Sequence, residues 1–211
     1  MNLYLSYKFP MEAPIIMEYS FETIEELLAS MKAAEEIKIT DIPCVDLYMD
    51  QVTTLFDDRL AKQKRDDSDV VLTKTMINNY AKAKILPPIK NKKYNKQQII
   101  LLILIYNLKQ TLSLEDIKAL LDPILNNLAS DEKNPEFLDL IYDKFLEVKE
   151  QQSDFLINNF IDKMRTLEKD AAGSDNEQLL KLLMSVLTLI SSANIQKRMA
   201  EKIIDTYFKS K

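Results

Sequence analysis

The sequence predicts an all-α protein, and three observations support this fold class. Its 211 residues include a single glycine, Gly173, although tight hairpins and barrel corners usually depend on glycine. Apolar residues recur every three or four positions through most of the chain beyond Asp46. Helix-capping residues precede several of these stretches, for example Thr73, Asn95 and Ser113. We therefore expect helices joined by polar loops.

The predicted elements follow from this spacing and from the signals at helix ends. A capping box at Thr23 and Glu26 opens a short helix, the Leu-Pro-Pro step at 86–88 ends a later one, and Pro123 ends another. Polar residues at 150–154 predict an interruption or an exposed stretch in a long helix. The predicted order is helices over 23–36, 46–62 and 74–84, an extended segment over 89–94 with Asn91 in its turn, helices over 95–109, 113–121 and 135–168, a turn at 171–175, and a helix over 179–207.

Composition argues against several classes of protein. The chain has no histidine and one cysteine, Cys44, so an internal disulfide, a thiolate metal site and the common nucleophile–base pairs cannot be assembled. It also lacks a glycine-rich phosphate loop. We expect no enzyme activity, no cofactor and no bound metal. We interpret Cys44 as a buried or half-buried structural thiol in a reducing compartment.

Two segments bear on localisation. The first nine residues lack the apolar core and cleavage pattern of a secretory signal, and prolines make the segment through Tyr19 irregular or a short strand. The most apolar run, at 99–106, has eight residues, whereas a membrane span needs roughly 20. We therefore expect a cytoplasmic protein without a membrane partner, and a buried helix over this run.

Charge is unevenly distributed along the chain. The net charge is −5, from 28 basic and 33 acidic residues. Between Val70 and Leu112 there are eight lysines and no acidic residue, so 20 basic residues remain elsewhere against all 33 acidic ones. This segregation predicts a local positive surface of the kind that attracts nucleic acid. The alternative is a solvated face without a partner.

The helix predicted at 74–84 has two different sides, because residues three or four positions apart share a face. One side carries Met76, Ile77, Tyr80 and Ala83, and the other carries lysines, amides and a hydroxyl. Asparagine can pair with adenine, and lysine can reach guanine or phosphate, although an ordinary surface helix remains the alternative. Lysines that follow in the extended segment would contact the DNA backbone. The candidate DNA-binding residues are Lys74, Thr75, Asn78, Asn79, Lys82, Lys90, Lys92, Lys93 and Lys96.

Residues 76–121 resemble the MerR-type winged helix-turn-helix. The matching features are Tyr80 in the helix, the Leu-Pro-Pro step, a basic wing, a tyrosine before a capped helix, and the pattern Ser-Leu-x-x-Ile-x-x-Leu-Leu at 113–121. The whole stretch from Ile42 is similar to the bacterial domain-of-unknown-function family 1836. The resemblance implies a DNA-binding domain with a very short wing, in which Lys92 replaces an arginine. A lysine there keeps phosphate attraction and weakens base readout.

We divide the chain into an N-terminal segment with one short helix at 1–40, the winged helix-turn-helix at 41–122, and a C-terminal helical bundle at 123–211 for dimerisation or regulation. We expect the apolar stripes of the last part to be packed, and its two long helices together to form a dimer interface. Phe155, Phe160 and Met164 are interpreted as core, with an effector pocket as the alternative. A dimer would place two recognition helices about 34–36 Å apart on an inverted repeat of DNA.

Two hypotheses of function remain. In the first, the chain is a transcriptional regulator that binds double-stranded DNA as a homodimer and responds to a small-molecule or protein effector that the sequence does not identify. In the second, it is a helical interaction or adaptor module whose lysine-rich face binds an acidic protein partner. Binding to mixed genomic DNA near physiological salt distinguishes them.

Overall fold

The structure is a computed structural model that describes residues 20–32, 36–66, 68–129, 135–171 and 176–209. The segment through Tyr19, Gly173 and most of the turn at 171–175 lie outside the described residues, so their predictions are not tested. The all-α fold class is confirmed, since the described part consists of helices and one two-stranded sheet. The elements are α1 (Phe21–Lys32), β1 (Leu47–Tyr48), α2 (Met49–Leu60), α3 (Lys74–Lys82), β2 (Lys93–Tyr94), α4 (Lys96–Lys109), α5 (Leu114–Ala129), α6 (Pro135–Ala171) and α7 (Glu177–Tyr207). Two short 3₁₀ helices lie at Ile39–Asp41 and Ala61–Gln63.

Helix α4 forms the centre of the core, as its apolar run predicts. Residues 99–105 are all buried, because α5 and α6 pack against the helix and the α2–α3 region covers it as well. One continuous cluster of buried residues extends from Ile37 through α4 to Tyr142 in α6 and includes Ile204 in α7. Burial of each such aliphatic side chain stabilises the fold by about 1.5–3 kcal/mol, so α4 is a rigid support for its neighbours.

Capping residues define most helix starts. The predicted caps are confirmed at α3, where the Thr73 hydroxyl accepts the Met76 N–H at 3.0 Å, and at α4, where Asn95 Oδ1 accepts the Gln98 N–H at 2.9 Å. At α1 the predicted start is wrong by two residues. The hydroxyl of Ser20 accepts the Thr23 N–H at 3.3 Å. Ser20 therefore caps α1 in place of Thr23, and the helix begins at Phe21.

Helix α3 ends before the Leu-Pro-Pro step, so that step does not terminate it. The backbone of Lys84 is left-handed, with φ of 59°. Its N–H donates to the Ala81 carbonyl at 3.1 Å, and the Ile85 N–H donates to the Tyr80 carbonyl at 3.1 Å. These two bonds form the Schellman arrangement, in which a left-handed residue closes a helix and glycine is the usual occupant. Lysine takes that position here.

A hairpin turn forms at Asn91 without glycine, and the predicted turn in the segment at 89–94 is confirmed. Asn91 and Lys92 have φ of 52° and 60°, and the Lys93 N–H donates to the Lys90 carbonyl at 2.9 Å. Positive φ at both central residues is the mark of a type I′ turn, which asparagine tolerates well. β2 then pairs antiparallel with β1, Leu47 opposite Tyr94. Consequently the helix expected from residue 46 begins only at Met49.

Two predicted interruptions of helices are absent. Helix α5 continues through Pro123 to Ala129, because Pro123 is exposed while Ile124 and Leu125 beyond it pack against the core. Helix α6 is continuous through residues 150–154, and the predicted alternative of an exposed stretch is confirmed for residues 150–152. Apolar contact on one side is enough to hold a helix whose other side is polar.

The C-terminal apolar residues are less buried than predicted. Phe160 and Met164 are buried, as expected, but Phe155 is exposed. Most apolar residues of α7 are also exposed. By length and composition alone, α7 could cross a membrane: the mean hydropathy of one 18-residue window is 1.4, and 6% of that window is buried.

Cys44 is exposed, so its predicted burial is wrong. It lies in the bend between the first 3₁₀ helix and β1, directly after Pro43, where the chain runs along the surface rather than into the core.

Candidate nucleic-acid interface

Helix α3 has the two faces that its spacing predicts. Ile77 and Tyr80 are buried, and Met76 and Ala83 pack against the same core. Burial raises the pKa of the Tyr80 hydroxyl, because the charged phenolate would be poorly solvated there. The opposite face is exposed along the full length of the helix. Its residues are Lys74, Thr75, Asn78, Asn79 and Lys82.

The turn at Lys90–Lys93, which we call the wing, lies beside the start of α2. Its position is set by the β1–β2 pairing, which places Lys93 opposite Tyr48. The ammonium of Lys93 lies 4.9 Å from the centre of the Tyr48 ring, a cation–π contact. Two residues further along, Asp50 forms an ion pair with Lys74 at the start of α3. Helix α3 and the wing therefore contact the same end of α2.

Carboxylates from other elements contact part of this surface. Besides the Lys74–Asp50 pair, Lys96 Nζ lies 2.6 Å from Asp139 Oδ2 in α6. The Lys74 pair is highly exposed and contributes little to stability, whereas the Lys96 pair is about two-thirds buried on both sides. Among the residues that the structure describes, no carboxylate lies within 4 Å of Lys82, Lys90 or Lys92. The positive surface is therefore strongest at the end of α3 and at the tip of the wing.

Gln98 connects the wing to α4, a role that was not predicted from the sequence. Its side chain is almost fully buried, and its Nε2 donates to the carbonyls of Pro87 and Pro88, both at 3.1 Å. Its Oε1 accepts the Asn95 N–H at 3.0 Å, completing a reciprocal capping box. The Asn-x-x-Gln spacing at 95–98 was the available signal. The polypeptide leading into the wing is thus fixed to the first turn of α4.

Two grooves border the surface. One, of about 470 Å³, lies under the wing and is lined by Lys90, Lys93, Gln98 and Leu101 among others. The other, of about 430 Å³, lies between the 63–71 loop and the inner side of α3 and includes Tyr80 and Tyr106. Within the described ranges, no group of three histidine, cysteine or carboxylate side chains is placed to hold a metal ion.

All nine candidate residues lie on α3, the wing or the first turn of α4. Seven are exposed, and Lys93 and Lys96 are half-buried because of their contacts with Tyr48 and Asp139. The structure brings the α3 face and the wing to one end of α2, which the sequence could not establish.

Fold and surface together define an all-helical protein with a short hairpin and an exposed, lysine-rich helix beside it. The family described as "Domain of unknown function (DUF1836)" matches residues 37–145, just over half of the chain. The chain belongs to this family, and the resemblance to it seen in the sequence is confirmed. No curated protein and no solved structure matches the chain. The two ends of the matched region meet in the core, where the Tyr142 hydroxyl donates a hydrogen bond to the Ile37 carbonyl.

Proposed function

We propose that the chain is a cytoplasmic transcriptional regulator that binds double-stranded DNA as a homodimer through a MerR-like winged helix-turn-helix. Helix α3 is the recognition helix, and the turn at 90–93 is the wing. The observation that supports this most is the exposed face of α3, which has amides and lysines but no carboxylate of its own, above an inner face anchored by Ile77 and Tyr80. A rigid, basic helix face of this kind suits a major groove.

The charge distribution suggests which residues of this surface contact bases and which contact phosphates. Asn78 and Asn79 are near the middle of α3, where they can reach base edges, while Lys82, Lys90 and Lys92 are placed for phosphates. Lys74 and Lys96 are already paired with carboxylates, so DNA would have to displace Asp50 and Asp139 to use them. We therefore expect Lys82, Lys90 and Lys92 to contribute more to DNA affinity than Lys74 or Lys96.

The same two ion pairs favour a second candidate function. These pairs within the chain support it because two lysines of this surface already contact carboxylates, as the lysines of a binding site for an acidic protein partner would. In that case the chain is a helical adaptor module that uses the lysine face for protein binding.

Titration with labelled mixed genomic DNA across a salt series tests the proposal. The wing variant Lys92→Asn removes one charge, and asparagine tolerates the left-handed backbone of that position. We expect weaker binding to every duplex and a salt dependence flatter by about one unit, the value for one phosphate contact. Lys163→Ala, which removes an exposed lysine on α6, is the control and should bind like the wild type.

Base reading needs a separate measurement. Genomic fragments selected by the purified protein should contain an inverted repeat, and Asn78→Ala should lose affinity for that repeat while keeping affinity for random DNA. Equal losses on both would remove Asn78 from base reading. Absence of DNA binding near physiological salt, together with co-purification of an acidic protein, would replace the proposal by the adaptor function.

A further inference from the structure

Helix α7 exposes far more apolar surface than a surface helix usually does. Apart from Ser185 and Ile204, its residues are exposed or half-exposed in the described part of the chain. Eleven of its large apolar residues are exposed, by 37% to 79%. These residues are Leu179, Leu180, Leu183, Val186, Leu187, Leu189, Ile190, Ile195, Met199, Ile203 and Tyr207.

The N-terminal half of α7 places its polar side against α6 and its apolar side towards solvent. Ser185 is buried at the α6 contact, where its hydroxyl donates to the Lys181 carbonyl at 2.8 Å and lies 3.1 Å from the Met164 sulfur. At 100° per residue, Leu183 lies about 200° around the helix from Ser185, so it faces the other way. A surface helix of a monomer has the opposite arrangement, with its apolar side against the core and its polar side towards solvent. We therefore infer that the outer face of α7 packs against a partner.

The outer face is large enough to form the centre of an interface. The six exposed residues that share this face are Leu179, Leu180, Leu183, Val186, Leu187 and Ile190. At about half exposure each presents on the order of 50 Å² of apolar surface, so the face presents roughly 300 Å². The largest apolar patch of a typical monomer is about 300–600 Å², and each partner in a standard interface buries about 800 Å², so this face can supply the apolar centre of such an interface.

The spacing of these residues indicates a helical partner rather than lipid. Leu179, Leu183, Val186, Ile190 and Ala193 follow one another at intervals of four, three, four and three, the heptad pattern of helices that pack side by side. The far end of α7 is also fixed to the rest of the chain. There Ile204 is part of the core, and Lys209 Nζ lies 2.7 Å from Asp116 Oδ1. Crossing a bilayer would break these contacts.

The charges that follow the apolar stretch of α7 favour an antiparallel pair. Lys197 and Arg198 come after this stretch, whereas Glu177 in the first turn is already paired with Lys181 of the same helix at 2.7 Å. If Val186 of one helix lies opposite Leu187 of another in antiparallel orientation, the Lys197 side chains of the two copies lie at opposite ends of the pair. A parallel pair would place Lys197 against Lys197, and it would also align the two helix dipoles unfavourably.

We propose that the outer face of α7, centred on Leu183, Val186, Leu187 and Ile190, binds the same face of a second copy of this chain with the two helices antiparallel. This interface specifies the homodimer of the proposed function, but it does not depend on DNA binding. The mass of the DNA-free protein in solution tests it, so its failure and the failure of the DNA proposal are distinguishable.

Light scattering at micromolar concentration should give twice the chain mass of 24.5 kDa for the wild type. The double variant Leu183→Glu, Leu187→Glu should give the single-chain mass with unchanged helical circular dichroism, because both residues are exposed in the chain alone. The control is Ile195→Glu, which places the same charge at an equally exposed position of α7 on another face, and it should remain dimeric. A monomeric wild type, or a double variant that stays dimeric, overturns the proposal.

Cysteine crosslinking in a Cys44→Ser background tests the orientation. V186C should form a disulfide-linked dimer under mild oxidation, because position 186 lies at the centre of an antiparallel pair. L179C should not, because it would lie near position 194 of the second copy. Equal crosslinking of both overturns the antiparallel arrangement. Flotation of the wild type with phosphatidylcholine–phosphatidylglycerol vesicles would assign the face to lipid instead and would also overturn the proposal.

Discussion

Replacement of Gln98 by alanine should destabilise the protein through the segment that carries the wing. The side chain makes three hydrogen bonds, to the Pro87 and Pro88 carbonyls and to the Asn95 N–H, at 3.0–3.1 Å. Each is worth about 0.5–1.5 kcal/mol net, and its loss leaves a polar backbone group without a partner. The sum is roughly 2–4 kcal/mol. Because Gln98 also lines the groove under the wing, water can reach part of the site, and we expect about 2 kcal/mol.

Urea unfolding followed by circular dichroism measures this loss directly. In thermal unfolding of a chain of this size, a loss of about 2 kcal/mol corresponds to a fall of roughly 4–8 °C in Tm. Gln97→Ala is the matched control. It removes the same atoms one residue earlier from a half-buried side chain that also lines the groove, and it has no side-chain hydrogen bond among the described residues. The variant Gln97→Ala should stay within about 0.5 kcal/mol of the wild type.

A second variant separates the three bonds. Gln98→Glu retains an oxygen for the Asn95 N–H but points a carboxylate at two carbonyl oxygens, so it should be less stable than Gln98→Ala at neutral pH. Equal stabilities of Gln98→Ala and Gln97→Ala would refute the role of Gln98 in fixing the wing to α4.

Three further predictions concern stability. Lys84→Gly should stabilise the protein by about 0.5–1 kcal/mol in urea unfolding, because glycine adopts the left-handed conformation at the end of α3 without steric cost. Tyr142→Phe should cost about 1–2 kcal/mol in the same assay, because it leaves the buried Ile37 carbonyl without its hydrogen bond. Hydrogen bonds from Lys209 and then Ser113 lower the pKa of Asp116 below its usual 3.8. Asp116 therefore stabilises the fold above about pH 4, and Asp116→Asn should lose stability at pH 7 but approach the wild type as the pH falls below about 3.

Each of these outcomes has a clear contrary result. No gain for Lys84→Gly would mean that the left-handed conformation is not maintained in solution. Wild-type stability of Tyr142→Phe would remove the hydrogen bond to Ile37 from the forces that hold α6 to the core. If the difference in the free energy of unfolding between wild type and Asp116→Asn did not change with pH, the charge of the carboxylate would have no part in fixing the end of α7.

Features set by neighbouring residues were predictable from the sequence. The caps at Thr73 and Asn95 act on N–H groups three residues away, and the two faces of α3 follow from its 3.6-residue repeat. The burial of α4 follows from an apolar run with no polar side. The continuation of α5 through Pro123 was not predictable in this way, because a local breaker signal was outweighed by core contacts on the far side of the proline.

Other features depend on residues that are distant in the chain. The sequence shows eight lysines without an adjacent acid, but it does not show that Lys96 meets Asp139, 43 positions away, or that Lys74 meets Asp50. The hydrogen bond between Tyr142 and Ile37 spans 105 positions. The sequence also did not indicate that Cys44 is exposed, since a bend at the surface leaves little trace in composition.

Residue type and short-range spacing were enough to establish the all-α class, the family, and the existence of an acid-free, two-faced helix with a basic segment after it. Only the packed fold showed that this helix and the wing meet at one end of α2, which lysines already contact carboxylates, and which side of α7 remains uncovered. These depend on how helices pack, and an apolar stripe has the same spacing whether it packs inside its own chain or against a second one.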